Sequence, residues 1–163
     1  MIDIKRLLPW EEFDTSQINQ LVARLAEDRG AARKTMTVQD IAQLLSNPNY
    51  YLLVAVEDGR YLGLVSIIFN ADLGGRWLCN MYNMVVAKDI RNTGIGDLLR
   101  EGVYREVREF ARRERTTIHG YFTTQSPYIL DTKVQERHKC ILVAQAVGPM
   151  GTNLCKAIMT PDD

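Results

Sequence analysis

The chain has 163 residues, 46% hydrophobic and 25% charged, a composition typical of a globular protein with about 100–200 residues per domain. It carries 20 Lys and Arg against 20 Asp and Glu residues, and polyanion-binding domains usually have a basic excess. No apolar run approaches the ~18 residues of a membrane span. We therefore expect a single domain over residues 1–163, with no nucleic-acid partner and no membrane partner.

The cysteines predict neither a disulfide framework nor a metal site. Cys79, Cys140 and Cys155 are odd in number and widely spaced, and together with two histidines they match no metal-ligand spacing. The first residues lack the long apolar stretch of a signal peptide. We therefore expect reduced thiols and a cytoplasmic location.

The first part of the chain predicts one strand followed by two helices. Residues 2–8 alternate weakly between apolar and polar side chains, which indicates a short strand. Asp14 and Thr15 both offer an N-cap, and Gln17 is placed to close a capping box from Asp14. The apolar stripe that follows predicts a helix to about Gly30, and a second cap at Thr37 begins a short helix.

The middle of the chain changes to a strand pattern. Two β-favouring runs, 50–56 and 61–69, flank an Asp-Gly turn, which is a strong hairpin signal. A third run covers residues 77–87. The longest amphipathic pattern then predicts a helix from Ile95 to Ala111.

The last third predicts a strand, a short helix and a final hairpin. The strand covers residues 116–122, and the helix lies within 127–138. Two apolar runs, 140–147 and 153–159, flank a turn at 148–151.

Residues 84–99 carry a pattern with chemical meaning. They join a predicted strand to the longest helix and place Gly94 and Gly96 at the turn between them. The first N–H groups of a helix have no internal acceptor and lie at the positive end of its dipole, so they bind phosphate well. Arg91 adds a cation just before the turn. The segment therefore predicts a phosphate or pyrophosphate site.

Three phosphate-loop motifs compete for this segment. A Walker loop needs Lys-Ser/Thr after its glycine, and neither glycine has it. A Rossmann fingerprint needs a small residue where Leu99 stands. The pattern Arg/Gln-x-x-Gly-x-Gly/Ala fits residues 91–96. On the motif alone, a plain strand-to-helix turn remains the alternative.

In this order of elements, nearly the whole chain resembles the GNAT superfamily of N-acetyltransferases, whose pyrophosphate loop joins the fourth strand to the third helix. The stretch Tyr61-Leu-Gly-Leu-Val-Ser-Ile adds to the resemblance. It implies an α/β (α+β) fold of order β-α-α-β-β-β-α-β-α-β-β, with a central, mainly antiparallel mixed sheet flanked by helices. It also implies that the strand around 77–87 lies parallel to the strand around 116–122.

The same resemblance implies acetyl-CoA as co-substrate, with no metal. Backbone N–H groups of the loop would hold its pyrophosphate, and the main chain of the preceding strand would pair with the pantetheine amides. The cofactor-binding residues so implied are Met84, Val85, Val86, Arg91, Asn92, Thr93, Gly94, Ile95 and Gly96.

Two features depart from the family pattern. Asp97 puts a carboxylate beside the expected pyrophosphate, so it either weakens binding or turns aside toward Arg91 or Arg100. Residues 125–141 lack the signature of the family's fourth helix. The tyrosine that often protonates the leaving thiolate therefore has no counterpart.

Acetyl transfer needs a base for the amine and an acid for the leaving thiolate. Tyr82 is a candidate for the base, and Tyr128 and His138 are candidates for the acid, with packing or surface roles as the alternatives. His119 is interpreted as a core or site-lining residue. Cys79 is interpreted as a buried structural thiol rather than a nucleophile, because direct transfer is the family's usual chemistry.

The predicted function is direct transfer of an acetyl group from acetyl-CoA to a primary amine. The acceptor would be a small molecule or a protein, and the enzyme a monomer or a homodimer. The alternative is a non-catalytic module of the same fold that holds CoA or another ligand.

Overall fold

The computed structural model describes residues 1–29, 34–124, 127–147 and 152–159. The strands are β1 (Asp3–Arg6), β2 (Tyr50–Glu57), β3 (Arg60–Ala71), β4 (Trp77–Val86), β5 (Ile118–Thr124), β6 (Ile141–Val147) and β7 (Thr152–Met159). The helices are α1 (Thr15–Arg29), α2 (Val38–Leu45), α3 (Ile95–Glu114) and α4 (Thr132–Arg137), with 3-10 turns at Lys88–Ile90 and Pro127–Leu130. The predicted helix end at Gly30 and the predicted turn at 148–151 lie outside the described residues.

The predicted fold class is confirmed. The strands form one mixed sheet in the order β1-β2-β3-β4-β5-β7-β6. β4 and β5 pair in parallel, from Trp77 opposite Ile118 to Met81 opposite Phe122, as the resemblance implied. A parallel pair needs a crossover connection, which α3 supplies. The pairs β1–β2, β2–β3, β5–β7 and β6–β7 are antiparallel.

The chain divides into two compact units. Unit 1 comprises Met1–Ile68 and Asn83–Arg105, and unit 2 comprises Phe69–Tyr82 and Glu106–Asp163. The chain therefore passes from one unit to the other within β3, β4 and α3. The expectation of one domain over residues 1–163 stays a prediction.

Unit 1 has its own hydrophobic core beneath α1 and α2. The apolar stripes that predicted these helices are buried, because Ile18, Leu21 and Leu25 of α1 and Ile41 and Leu45 of α2 pack into one cluster. The rest of the cluster comes from Leu7, Leu52, Val54, Leu64 and Val85. Since Val85 belongs to β4, the core fixes the strand that leads to the phosphate-loop segment.

The two helix starts in unit 1 differ in their caps. The box at α2 forms as its sequence indicates, because Asp40 N–H donates to Thr37 Oγ1 at 3.1 Å and Thr37 N–H donates to Asp40 Oδ2 at 2.9 Å. At α1 only half of the predicted box is present: Gln17 N–H donates to Asp14 Oδ1 at 3.0 Å, but Asp14 N–H donates to the Tyr61 hydroxyl at 2.9 Å.

The Gln17 amide is instead used by the hairpin between β2 and β3. Its Nε2 donates to Gly59 O at 2.9 Å, and its Oε1 accepts from Tyr61 N–H at 2.7 Å. The reciprocal bond of the predicted capping box is therefore absent: Gln17 Nε2 also donates to Asp14 Oδ2 at 2.9 Å, but Gln17 Oε1 accepts from Tyr61 N–H rather than from Asp14 N–H.

Unit 2 is centred on the aromatic side chain of Phe110 in α3. Its ring stacks on Phe69 with centroids 3.9 Å apart and meets Trp77 edge-on at 5.0 Å. Ile118 and Cys155 are fully buried in the same unit. β6 stands last in the strand order, and three of its apolar side chains, Ile141, Val143 and Val147, are exposed.

Candidate functional site

The end of β4 and the start of α3 bound a cavity of about 470 Å³ in unit 1. Its lining residues are Met84, Val85, Val86, Arg91, Asn92, Gly94, Ile95, Gly96 and Asp97. Every residue that the sequence predicted for cofactor binding lines this cavity except Thr93. The Thr93 hydroxyl instead donates to Ile90 O at 2.5 Å, and Thr93 lines a different cavity with Ile2 and Leu62.

The backbone of the loop turns sharply between strand and helix. Asn92 has φ of 61° and Gly94 has φ of 89°, both in the left-handed region that Asn and Gly adopt most readily. Turns with left-handed residues direct successive backbone N–H groups into a concave anion site. The loop therefore has the backbone geometry of an anion-binding turn.

The start of α3 adds further donors. Its first helical bond runs from Leu98 N–H to Gly94 O at 3.1 Å, so the N–H groups of Ile95 and Gly96 precede that bond and have no acceptor within the helix. A Cβ built on Gly96 would meet no atom within 4 Å. The space beside Gly96 is therefore open, and the cavity that Ile95 and Gly96 line has room for an oxyanion.

The charges around the cavity are of both signs. Arg91 ends the 3-10 turn Lys88–Ile90 and brings a guanidinium to the lining. Asp97 pairs with Arg100, with Oδ1 3.0 Å from Nη1, while 64% of the Asp97 side chain and 17% of the Arg100 side chain are exposed. The sequence analysis left Arg91 and Arg100 open as partners of Asp97, and the structure shows an ion pair with Arg100. The pair offsets part of the negative charge at the helix start.

β4 is irregular just before the cavity. Asn83, inside the strand, has φ of 57°, which interrupts the alternation of side chains. Met81, Tyr82, Asn83 and Met84 are all half-buried in consequence rather than alternating between buried and exposed. Sequence reasoning missed this irregularity, and its only signal is the residue type, because Asn tolerates the left-handed region.

β3 lies unusually close to the end of β4. A Cβ on Gly63 would lie 2.7 Å from Val85 O and 3.1 Å from Leu99 Cδ1. Only a glycine therefore permits this approach. Ala87 N–H, just after β4, donates to Leu62 O at 2.9 Å and extends the contact toward the loop.

A side chain from α1 also reaches the end of β4. The Nε of Arg24 donates to the carbonyl oxygen of Val86 at 2.8 Å. Arg24 is half-buried, and the two residues lie far apart in the sequence. Nothing in the local pattern of either segment predicted this contact.

The three predicted catalytic residues all belong to unit 2, and none lines the unit 1 cavity. Tyr82 is half-buried in β4. Tyr128 stands in the 3-10 turn Pro127–Leu130 with 76% of its surface exposed. His138 follows α4, and its Nε2 lies 3.5 Å from Nη2 of Arg137.

Two other residues that the sequence singled out are also in unit 2. Cys79 is 2% exposed, and burial raises the pKa of its thiol to about 12, so the thiol is protonated at neutral pH. His119 is half-buried in β5. Burial, followed by the charges of Lys156 and Arg76, lowers the pKa of His119. The Cys79 thiol therefore lacks the thiolate that a nucleophile in acyl transfer needs.

Among the residues that the structure describes, no three His, Cys, Asp or Glu side chains are grouped so as to hold a metal ion. Within those same parts of the chain, every helix is too short or too polar to cross a bilayer.

Comparisons with known proteins place these features in context. A family model described as "Acetyltransferase (GNAT) family" matches residues 15–127. A search of curated proteins finds no match.

Similar solved structures cover most of the chain. An acetyltransferase of the GNAT family from Streptococcus pneumoniae is 15% identical, with a TM-score of 0.69 over 98% of this chain and 99% of that one. An aminoglycoside acetyltransferase from an uncultured soil metagenomic sample, in complex with trehalose, is 16% identical, with a TM-score of 0.66 over 90% and 93% of the two chains. A ribosomal-protein-alanine N-acetyltransferase from Brucella melitensis biovar Abortus 2308 is 20% identical, with a TM-score of 0.58 over 84% and 89%. These likenesses show a shared fold.

Proposed function

Because this chain belongs to the acetyltransferase (GNAT) family, we propose that it transfers an acetyl group from acetyl-CoA directly to a primary amine. The observation that carries the choice of acetyl-CoA is the cavity between β4 and α3. It combines a cationic side chain, a left-handed turn and the first N–H groups of a helix, which suit the pyrophosphate of CoA.

The loop residues would each contribute through the backbone. The N–H groups of Asn92, Gly94, Ile95 and Gly96 would donate to the phosphate oxygens, and the Arg91 guanidinium would add charge-assisted bonds. Thr93 would contribute its N–H alone, because its hydroxyl is bonded to Ile90 O. The main chain of Met84, Val85 and Val86 would face the pantetheine arm.

The transfer exchanges a carbon–sulfur bond for a carbon–nitrogen bond and moves one proton. The acceptor nitrogen bonds to the acetyl carbonyl carbon, the carbon–sulfur bond breaks, and the proton lost by the amine ends on the CoA sulfur. Tyr82 is proposed to receive the amine proton, directly or through water, and Tyr128 or His138 to protonate the sulfur. The raised pKa of Cys79 favours this direct route over an acetyl-thiol intermediate, because the thiolate needed for attack is scarce at neutral pH.

The acceptor is proposed to be an amine on a small molecule or on a protein. Among the similar structures are an aminoglycoside acetyltransferase and a ribosomal-protein-alanine N-acetyltransferase. The zero net charge of this chain disfavours a strongly charged polymer as acceptor. A single domain over residues 1–163, a cytoplasmic location and a monomer or homodimer complete the proposal.

A thiol-release assay over an amine panel tests the function. The panel contains aminoglycosides, peptides with free N-termini and peptides whose only amine is lysine, and each is incubated with acetyl-CoA. Native Cys79, Cys140 and Cys155 are all buried, so the thiol reagent reports CoA rather than the protein. We expect acetyl-CoA to raise the melting temperature and at least one amine to release thiol. Stabilisation without thiol release from any amine would instead favour the non-catalytic binding module.

A further inference from the structure

The carbonyl of Val86 points to the edge of β4 that β3 does not use. The neighbouring Ala87 N–H donates to Leu62 O at 2.9 Å, on the β3 side. In a trans peptide the C=O points opposite to the N–H, so the Val86 carbonyl is directed away from β3. Val86 also lines the cavity between β4 and α3. The carbonyl is therefore an acceptor on the open edge of the strand.

Arg24 donates to this carbonyl from α1. The Nε–O distance is 2.8 Å, within the usual range for a hydrogen bond between nitrogen and oxygen. Leu21 and Leu25, on the same helix, are buried in the unit 1 core, so the backbone of Arg24 is held in place. The contact can be broken only by rotation of the Arg24 side chain.

The structure also contains space into which this side chain can rotate. Arg24 lines a second cavity of about 240 Å³ in unit 1. Its other lining residues are Gln17, Gln20, Leu21, Arg60, Tyr61, Ala87, Lys88 and Asp89. Asp89 is already paired with Arg60 at 2.6 Å, which limits its attraction for a further cation.

We propose that Arg24 limits the affinity of the chain for acetyl-CoA by competing with an amide of the pantetheine arm for the Val86 carbonyl. This inference rests on the proposed function, in which the pyrophosphate lies at residues 91–96. The arm that continues from the pyrophosphate along β4 carries amide N–H groups that need acceptors. When the arm binds, the guanidinium withdraws from Val86 into the second cavity.

The test compares one ligand that has this arm with one that ends at the phosphate to which the arm is attached. CoA contains the arm, and 3′-phospho-ADP is the same molecule without it. Binding of each is measured by calorimetry to the unaltered chain, to Arg24→Lys, which keeps the charge but loses the Nε donor, and to Arg24→Gln, which loses the charge. In both variants we expect CoA affinity relative to 3′-phospho-ADP to rise about fivefold, the size of one net hydrogen bond.

Arg105→Gln is the matched control. Arg105 Nη2 also donates to a backbone carbonyl, that of Ile4, at 3.2 Å, but neither residue lines the cavity between β4 and α3. We expect the affinity ratio to be unchanged in this variant. A general loss of packing would affect both ligands and leave the ratio constant, and Arg24→Lys keeps the positive charge that the more anionic 3′-phospho-ADP would otherwise lose.

Two outcomes would overturn the inference alone. An unchanged ratio in both Arg24 variants would mean that the Val86 carbonyl does not receive the arm. A lower ratio would mean that Arg24 helps to hold the arm. Failure of the unaltered chain to bind either ligand would overturn the proposed function as well.

Discussion

Gly96 is the residue at which an added side chain most directly tests the anion site. Gly96 lines the cavity, its Cβ would meet no atom within 4 Å, and its φ is not in the left-handed region. Gly94 is less suitable, because its φ of 89° makes any other residue strained there. A substitution at Gly96 therefore fills the proposed anion site without straining the backbone.

We expect Gly96→Ala to weaken CoA binding and Gly96→Val to abolish it, because the added carbons take the place of the phosphate. The melting temperature without ligand should stay constant or rise slightly, since Ala favours helix more than Gly does. Calorimetry and thermal unfolding measure the two quantities. If both variants bind CoA like the unaltered chain, the pyrophosphate lies elsewhere.

Asp97 is the residue whose charge opposes the proposed ligand. Asp97→Asn removes a carboxylate from the cavity lining and releases Arg100 from its ion pair. We expect CoA to bind about threefold more tightly, and the gain to shrink at high salt, because an exposed charge is screened. The free energy of unfolding should fall by a few tenths of a kcal/mol, since a helix start favours a negative charge.

Glu101→Gln controls for this substitution. Glu101 is exposed one turn further along α3, and it does not line the cavity. The same change of charge there should leave CoA affinity within about 1.5-fold of the unaltered chain, because water and salt screen it. Weaker CoA binding in Asp97→Asn would contradict the repulsion and point to Asp97 as the residue that holds Arg100 in place.

At the scale of elements, the approach of β3 to β4 fixes the strand that leads into the cavity. Gly63→Ala would place a methyl group 2.7 Å from Val85 O, and backbone cannot yield as a flexible side chain does. We expect the free energy of unfolding to fall by about 1–3 kcal/mol, the usual cost of overpacking. Chemical denaturation measures this free energy of unfolding. Gly96→Ala is the control, because it adds a methyl group where the structure has open space.

The elements themselves were largely predictable from the sequence. The stripe from Ile18 to Leu25 predicted α1 because burial on one face repeats with the period of a helix. Thr37 and Asp40 predicted the start of α2 because a capping box is a local interaction. The loop at 91–96 was predictable because two glycines and an arginine have a local meaning at a strand-to-helix turn.

Contacts between distant segments were not predictable in the same way. The left-handed Asn83 depends on the packing of β4, and the bond from Arg24 to Val86 joins segments 62 residues apart. In each case tertiary structure selects one of several arrangements that the local sequence allows.

At the scale of the whole molecule, His119 gives folding a pH dependence of definite sign. Burial and the charges of Lys156 and Arg76 lower its pKa in the folded state, so the unfolded chain binds the proton more readily. The stabilisation is therefore fully present above the unfolded pKa of about 6.5 and is lost as the pH falls below it. Stability should decline as the pH falls below about 6.5.

Denaturation curves of the unaltered chain and of His119→Gln measure this effect. The variant should show a smaller decline over the same pH range, because Gln does not titrate. Asp14, Asp40, Asp72 and Asp89 have lowered pKa values because they accept hydrogen bonds, so their contribution is lost only below about pH 4. Equal slopes for the two proteins would assign the pH dependence to other groups.

The position of β6 has a consequence for handling the protein at high concentration. The strand stands last in the sheet order, and Val143, 53% exposed, lies between the exposed Ile141 and Val147. An edge strand with outward apolar side chains is a template on which another chain can add a strand, so concentrated stocks should form aggregates with time. Val143→Lys should slow the growth of light scattering, because a charge on an edge strand blocks such addition.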